Sequence, residues 1–182
     1  AYETELGEVK QNYGKARKWY QVSAQGGNAK ARYSLGRIYQ NDWGLRRKDE
    51  VQASIWYKAA AKQGHREAQF ELGRMYENGL GIGKDPKKAR KWYEMAADQK
   101  HVEAQFNLGE MYRQGLGVNI KDEARAVELY GDAANQGHGD ANIQLGWMYD
   151  HGKGVEKNPD KALEYYRKAA ELKNKGQVKE GS

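Results

Sequence analysis

Small and apolar residues return along the chain at one fixed set of intervals. Each set opens with Ala and continues with an aromatic residue or Ile two positions later, Leu four positions later and Tyr eight positions later. This spacing places all four side chains on one side of an α-helix. The opening residues are Ala31, Ala68, Ala104 and Ala141. The pattern therefore predicts four amphipathic helices, the first helices of four repeated units.

Every first helix contains the motif Leu-Gly-x-x-Tyr. Its copies begin at Leu35, Leu72, Leu108 and Leu145, at spacings of 37, 36 and 37 residues. Self-similarity at such a period predicts a stack of helical repeats. The Gly costs about 1 kcal/mol of helix propensity relative to Ala, so its recurrence requires a packing reason. We expect the backbone of a neighbouring helix to approach it closely.

A second helix is predicted in each unit. It follows a Gly-rich turn, which in the first unit reads Asp42-Trp43-Gly44-Leu45, with Asp42 in the place of a Gly. Asn and Asp are strong N-cap residues, and one of them stands four positions before an Ala in each predicted second helix. These N-caps are Asn12, Asp49, Asp85, Asp122 and Asn158. Gly64 and Gly137 follow two of these helices as C-caps, and Lys100 takes that position in another.

The combined pattern resembles the Sel1-like repeat, a relative of the tetratricopeptide repeat. The resemblance rests on Ala-x-x-x-Leu-Gly-x-x-Tyr, the Gly-x-Gly turn, and Asp-x-x-x-Ala-x-x-Trp-Tyr with its Ala pair. It implies an all-α fold, a right-handed α-solenoid of helix-turn-helix pairs whose first helices line a concave face. The predicted divisions are a half repeat with only a second helix at 1–27, repeats at 28–64, 65–100, 101–137 and 138–173, and a polar, frayed tail at 174–182.

The same resemblance implies a function. Sel1-like proteins are generally non-enzymatic scaffolds that bind another protein, and some act as immunity proteins against lipase effectors of the type VI secretion system. We therefore expect a protein partner, with a lipase effector as the sharper hypothesis, and neither a catalytic residue nor a cofactor. Two rivals remain open: an envelope protein that binds peptidoglycan or another glycan, and, least favoured, a hydrolase.

The candidate partner-binding residues are those that the repeat leaves variable on its inner face, together with inner-face aromatics. They are Lys30, Tyr33, Arg37, Gln40, Phe70, Arg74, Glu77, Glu110, Arg113, Trp147 and Asp150. Trp147 differs from its equivalents, which are Arg or Glu, so it is either a binding anchor or a cover for the last helix pair. Trp43 poses the same choice, with packing favoured.

Composition and charge bear on the compartment and on the kind of partner. The sequence holds no Cys, and its mean hydropathy of -1.07 and lack of a long apolar run argue against a membrane span. The formal net charge is +6, and the basic excess lies in the first 121 residues. We expect this asymmetry to steer an acidic partner. Residue 1 is Ala, so either a signal peptide was removed or the sequence was trimmed; we favour the bacterial periplasm over the cytoplasm and expect a monomer in isolation.

Other chemical interpretations are weaker than the scaffold. His65, His101 and His138 recur at the repeat spacing and cannot easily share one metal ion, so no metal site is predicted. The stretch Gly79–Lys84 follows a helix rather than a strand and lacks the Ser or Thr of a phosphate-binding loop. The basic run Lys87, Lys88, Arg90 and Lys91 is interspersed with acids along the chain, which favours a solvated face over nucleic-acid binding.

Overall fold

The computed structural model describes the backbone of residues 2–43 and 47–180 and the side chains of residues 12–43 and 47–174. In this part of the chain there are nine α-helices and no strand, which confirms the all-α helical repeat fold. Gly44 and Leu45 of the first predicted turn lie outside the described residues. The helices are α1 Tyr2–Gln25, α2 Ala29–Gln40, α3 Glu50–Ala61, α4 Arg66–Asn78, α5 Pro86–Asp98, α6 Val102–Gln114, α7 Glu123–Asn135, α8 Gly139–His151 and α9 Pro159–Glu180.

The first helices are α2, α4, α6 and α8, and each packs against the second helix that follows it. The chain forms two compact units, residues 1–95 and 96–182. In the first unit Ala24, Ala31 and Leu35 form a buried cluster against which Trp56 packs. In the second unit Tyr130, Leu145 and Met148 belong to a similar cluster between α7 and α8. Every unit therefore has its own core.

The Gly of Leu-Gly-x-x-Tyr makes room for a tyrosine ring, not for a neighbouring backbone as the sequence suggested. A Cβ atom built on Gly36 would lie 2.5 Å from ring carbons of Tyr57, and one on Gly109 would lie 2.8 Å from Tyr130. Gly73 meets Tyr93 and Gly146 meets Tyr166 in the same way. The ring replaces the missing side chain, so the cost in helix propensity is offset by burial of an aromatic residue.

The predicted N-caps of four second helices are confirmed, and the fifth is wrong. Asp49 and Asp122 accept hydrogen bonds from backbone N–H groups three residues on, and Asp85 and Asn158 do the same before Pro86 and Pro159. Asn12, however, lies inside α1, which begins at Tyr2. The preference of Asn for an N-cap is a weak local signal, and the surrounding helix overrides it here.

Two residues stand in for glycine at helix ends. Asp42 has a φ of 54° and Lys100 a φ of 62°, where the equivalent positions of other repeats hold Gly79 and Gly64 with positive φ. The substitution of Asp42 for a turn Gly, expected from the sequence, is thus confirmed. At the other end of the chain, α9 continues to Glu180, so residues 174–180 are helical rather than frayed.

Histidines cap three of the first helices. The Nδ1 atoms of His65, His101 and His138 accept from the backbone N–H groups of Ala68, Ala104 and Ala141 at 3.4, 3.3 and 3.1 Å. Asn28 does the same for α2 at 3.0 Å. Only an unprotonated Nδ1 can accept, so these caps require the neutral ring. The recurrence of His at the repeat spacing is therefore explained by capping.

Substitution of Gly109 by Ala tests the ring contact. We expect Gly109→Ala to lower the free energy of unfolding by about 1–3 kcal/mol, because the buried ring of Tyr130 must shift. Gly131→Ala in α7 is the matched control: its Cβ would meet nothing within 4 Å, and it should stabilise by about 0.5–1 kcal/mol. Urea denaturation measures both. Equal effects of the two substitutions would contradict this account.

Acidification should weaken the cap at His65. Burial lowers the pKa of this ring, with further lowering by Lys30 and Arg66, and outweighs the opposing Glu67 carboxylate. The folded chain therefore binds a proton here less readily than the unfolded chain. Its contribution to stability is present above the ordinary His pKa of about 6.5 and is lost as the pH falls below it.

The variant His65→Asn isolates this effect, because Asn caps α2 in the same way and does not titrate in this range. We expect the variant to lose less stability than the parent chain between pH 7.5 and 5.5, as measured by denaturation at each pH. An unchanged pH dependence in His65→Asn would show that the cap does not titrate with folding.

Candidate functional site

The predicted partner-binding residues all lie on first helices, in two groups. The α2–α4 face, in the first unit, holds Lys30, Tyr33, Arg37, Gln40, Phe70, Arg74 and Glu77. The α6–α8 face, in the second unit, holds Glu110, Arg113, Trp147 and Asp150. The hydroxyl groups of Tyr57 and Tyr93 donate to residues of the first face, and that of Tyr130 donates to a residue of the second.

On the α2–α4 face, polar side chains are joined in a chain of hydrogen bonds. The Tyr57 hydroxyl donates to Oε1 of Gln40 at 2.6 Å, and Nε2 of Gln40 donates to Glu71 at 3.4 Å. Arg74 donates to the same carboxylate at 3.3 Å. Glu71 was not predicted from the sequence. Its carboxylate pairs with Arg74 and partly neutralises the positive charge of that residue. Its position four residues after Glu67 and three before Arg74 was the available signal.

Glu77 takes the position of Gln40 in the next repeat and plays the same part. The Tyr93 hydroxyl donates to its Oε2 at 2.7 Å. A hydroxyl group at the edge of the core requires an acceptor, and a residue directly after the motif Tyr supplies it. Gln40 and Glu77 thus support the fold as well as shaping the face.

Arg37 has a different environment from Arg74. Its guanidinium lies over the ring of Trp43, 4.9 Å from the centroid, and Trp43 stacks on Tyr13 at 5.5 Å. These residues border a cavity of about 160 Å³ that Tyr20 and Ile38 also line. Trp43 therefore packs, as favoured from the sequence, while Arg37 stays exposed and is held by the aromatic surface beneath it.

The aromatic candidates Tyr33 and Phe70 are half-buried and form part of the packing. Tyr33 lies 5.7 Å from Tyr57 and stacks on the His65 ring at 4.7 Å. The ring centroids of Phe70 and Tyr93 are 5.8 Å apart. The Arg74 guanidinium lies 5.9 Å from the centroid of the Phe70 ring. Only their outer edges are available to a partner.

On the α6–α8 face, Glu110 is the centre of a polar cluster. Its carboxylate accepts from Arg113 at 2.6 Å, from Gln114 at 2.7 Å and from the Tyr130 hydroxyl. Burial acts to raise the pKa of Glu110, but the three donors outweigh it and hold the pKa below its ordinary value. Burial and the bond to Glu110 raise the pKa of Tyr130. At neutral pH Glu110 is therefore ionised and paired with Arg113, while the Tyr130 hydroxyl stays protonated and donates to it.

Trp147 is the large aromatic side chain of this face. It is 37% exposed, and the ring of His151, one helical turn on, stacks against it at 4.6 Å. The Nδ1 atom of His151 lies 2.9 Å from the Trp147 carbonyl oxygen. Burial raises the pKa of Tyr166, and the carboxylate of Asp150 raises it further. Asp150 itself is half-buried. The ring of Trp147 is thus ordered while remaining accessible.

The structure also bears on metal binding, on the basic run of α5 and on membrane spans. Among the described residues, no group of three or more His, Asp or Glu side chains is arranged to hold a metal ion. In the basic run at the start of α5, Lys88 pairs with Asp85 at 2.9 Å and Arg90 pairs with Glu94. No helix in the described part of the chain is both long and apolar enough to cross a membrane.

Two solved bacterial structures resemble this one closely. A Sel1 repeat protein from Oxalobacter formigenes is 36% identical, with a TM-score of 0.78 over 85% of this chain and 61% of its own. The protein c5321, a protective antigen of uropathogenic Escherichia coli strains, is 38% identical, with a TM-score of 0.81 over 85% of this chain and 33% of its own. The chain therefore spans less than two thirds of the length of either relative.

A third similar structure is immunity protein Pa5087 from Pseudomonas aeruginosa, which is 25% identical, with a TM-score of 0.54 over 88% of this chain and 58% of its own. No protein of curated function matches the sequence. The sequence profile of the Sel1 repeat matches residues 1–28, 29–65, 66–101, 102–138 and 139–174. With these five consecutive matches and its likeness to solved bacterial Sel1 structures, the chain belongs to the Sel1 repeat family.

Proposed function

We propose that this chain is a scaffold that binds a partner protein on the exposed side chains of its first helices. Sel1 repeat proteins mediate protein–protein interaction, which sets the general class. The observation that carries the proposal is that hydrogen bonds hold the variable polar side chains of these faces in place. Gln40, Glu77 and Glu110 differ between repeats, and each is held by a tyrosine hydroxyl group from the core.

Such a surface is ordered before a partner arrives. An interface loses roughly 0.5–1.5 kcal/mol for each flexible side chain that binding immobilises. Glu110 and Arg113 are already paired, and Arg37 already rests on Trp43, so little of this cost remains. This supports binding by a preformed face over binding by a flexible one.

The α2–α4 face offers cationic groups and apolar edges to an acidic partner. Arg37 is exposed, and the Arg74 side chain remains about 42% exposed although Glu71 pairs with it. Both guanidinium groups can donate to carboxylates of a partner. Tyr33 and Phe70 supply apolar contact beside them. Lys30 is exposed at the start of α2 and adds to the positive potential there.

The α6–α8 face is suited to a different kind of contact. Glu110 and Arg113 are paired with each other, and Trp147 is a partly exposed ring that stacks on His151. Trp is among the residues that contribute most to interface affinity. We assign Trp147 the role of an apolar anchor, with Asp150 as a neighbouring hydrogen-bond acceptor.

The finer form of the proposal is that the partner is a toxic effector and that the chain is an immunity protein. The similarity to immunity protein Pa5087 over 88% of this chain supports it. A lipase effector of a type VI secretion system is the specific partner we propose. An inhibitor of this kind needs a rigid surface, which the paired side chains of both faces provide.

Reversal of two charges on the α2–α4 face tests the scaffold proposal. We expect Arg37→Glu with Arg74→Glu to weaken binding at least tenfold, because two attractive contacts become repulsive. The partner is first obtained by affinity purification from the native bacterium, and affinity is then measured by titration calorimetry. Lys58→Glu with Lys62→Glu, at exposed positions at the end of α3, makes the same charge change away from the face. If both pairs bind equally, the placement is wrong.

Protection from a toxin tests the immunity proposal. We expect an effector gene to lie beside the gene for this chain. Co-expression of the two should restore growth, and the two proteins should co-purify with nanomolar affinity. Trp147→Ala should reduce protection more than any loss of folded protein explains, with circular dichroism used to measure the folded fraction. A chain that folds but gives no protection would contradict the immunity role and leave the general scaffold proposal standing.

A further inference from the structure

The exposed side of α3 carries two aliphatic residues that the repeat does not require. Val51 and Ile55 lie one helical turn apart and are 56% and 51% exposed, while Tyr57 on the opposite side is completely buried. The equivalents of Ile55 in the second unit are Glu128 and Glu164. β-Branched residues are poorer helix formers than Glu, and an exposed aliphatic side chain contributes no burial energy. The packing of the repeats therefore does not explain these residues.

The same side of α3 continues with lysine. Lys58 and Lys62 follow Ile55 by three and seven positions, which is the spacing of a single helix face. Both are exposed, and neither forms an ion pair with another described residue. We call Val51, Ile55, Lys58 and Lys62 the α3 outer stripe. It combines aliphatic and cationic groups along one side of the helix.

The neighbouring second helices of the first unit extend the positive charge. The turn before α5 lies against the start of α3, since a Cβ atom built on Gly81 would lie 2.2 Å from the carbonyl carbon of Glu50. In α5, the positions equivalent to the two aliphatic residues of the stripe hold Lys87 and Lys91. Both are exposed and pair with no described carboxylate. Lys18 is the exposed counterpart in α1.

Acidic groups on these helices are few, and most are occupied. Asp49 accepts a hydrogen bond from the backbone at the start of α3. The carboxylates of Asp85 and Glu94 pair with cations of α5. Among the described residues of α3 and α5 in the first unit, the remaining carboxylate is Glu50, at the opposite end of α3 from Lys62. The outer surface of these helices therefore has an excess of unpaired positive charge.

We propose that this outer surface of the first unit binds the face of an anionic lipid membrane. The ammonium groups meet lipid phosphates, and the aliphatic side chains of the α3 outer stripe enter the boundary between headgroups and acyl chains. Each Lys near such a surface strengthens binding about fivefold. The contact is peripheral, with α3 lying in the plane of the membrane surface.

Two other anionic occupants match the surface less well. Lysine is depleted at interfaces between proteins, where Arg, Tyr and Trp are enriched. Nucleic acids attract lysine, but the exposed positions of α3 offer aliphatic groups instead of the aromatic rings on which bases stack. A lipid surface uses both halves of the stripe at once. Because Arg37 and Arg74 take no part in it, this proposal and the scaffold proposal can fail separately.

Sedimentation with vesicles tests the proposal. The full chain is mixed with vesicles of equal parts phosphatidylglycerol and phosphatidylcholine, or of phosphatidylcholine alone. We expect half of the chain to bind the anionic vesicles at accessible lipid on the order of 0.1–1 mM, as for one reversible membrane signal. Binding to phosphatidylcholine should be at least about tenfold weaker, because the lysines then meet no net charge. Equal binding to the two kinds of vesicle would overturn the proposal.

A matched pair of charge variants locates the contact. Lys58→Glu with Lys62→Glu should weaken binding to the anionic vesicles at least about twentyfold. Lys153→Glu with Lys157→Glu makes the same change of net charge at exposed positions of the second unit and should weaken it less than about threefold, because salt screens distant charges. Equal losses would show that binding follows net charge alone, and the assignment to this surface would be wrong.

A second pair tests the aliphatic half of the stripe. Ile55→Ser should weaken vesicle binding about fivefold, since part of its side chain leaves water on binding. Leu163→Ser in α9 changes a residue that is 49% exposed and should bind like the parent chain. Circular dichroism confirms that each variant is folded. If Ile55→Ser binds as tightly as the parent chain, the stripe does not enter the membrane and the proposal fails.

Competition with a short DNA duplex separates lipid from nucleic acid. We expect the duplex to leave the chain bound to the anionic vesicles. If the duplex releases the chain, and Ile55→Ser binds the duplex as tightly as the parent chain does, the occupant of this surface is a nucleic acid and the assignment to lipid is wrong.

Discussion

The contact between a tyrosine ring and a glycine backbone is the interaction on which the remaining structure depends. Tyr57, Tyr93 and Tyr130 are completely buried, and each rests on the glycine of the preceding first helix where no Cβ could fit. This contact sets how closely the two helices of a unit approach, because a larger residue would displace the ring. Close packing then buries the Ala and Leu side chains around it.

The same tyrosines connect the core to the candidate binding faces. Their hydroxyl groups emerge from the core and donate to Gln40, Glu77 and Glu110. A buried hydroxyl group without an acceptor is costly, so a polar residue is required on the face in each of these three repeats. In the third repeat, Arg113 stands where an acceptor is expected, and Glu110 one turn earlier accepts instead. The faces are therefore variable in sequence but constant in the support they give the core.

Histidine links one repeat to the next through two properties of a single ring. Its Nδ1 atom caps a helix, and its flat surface stacks on the aromatic residue of the preceding first helix. Glycine makes a second link in the turns: a Cβ on Gly81 would lie 2.2 Å from the Glu50 carbonyl carbon, and Gly154 has the same relation to Glu123. Repeats stack where such small or flat groups allow close approach.

The sequence by itself determined the repeats, the helix pairs and four of the five second-helix N-caps, because these depend on periodic burial and on local hydrogen bonds. It did not determine which neighbour fills the space at each glycine, that histidines serve as caps, or that Asn12 lies inside a longer helix. It placed the candidate residues on first helices but could not separate Gln40, which accepts from Tyr57, from Arg37, which stays exposed over Trp43. Those distinctions depend on contacts between residues far apart in the chain, and only the packed helices bring such residues together.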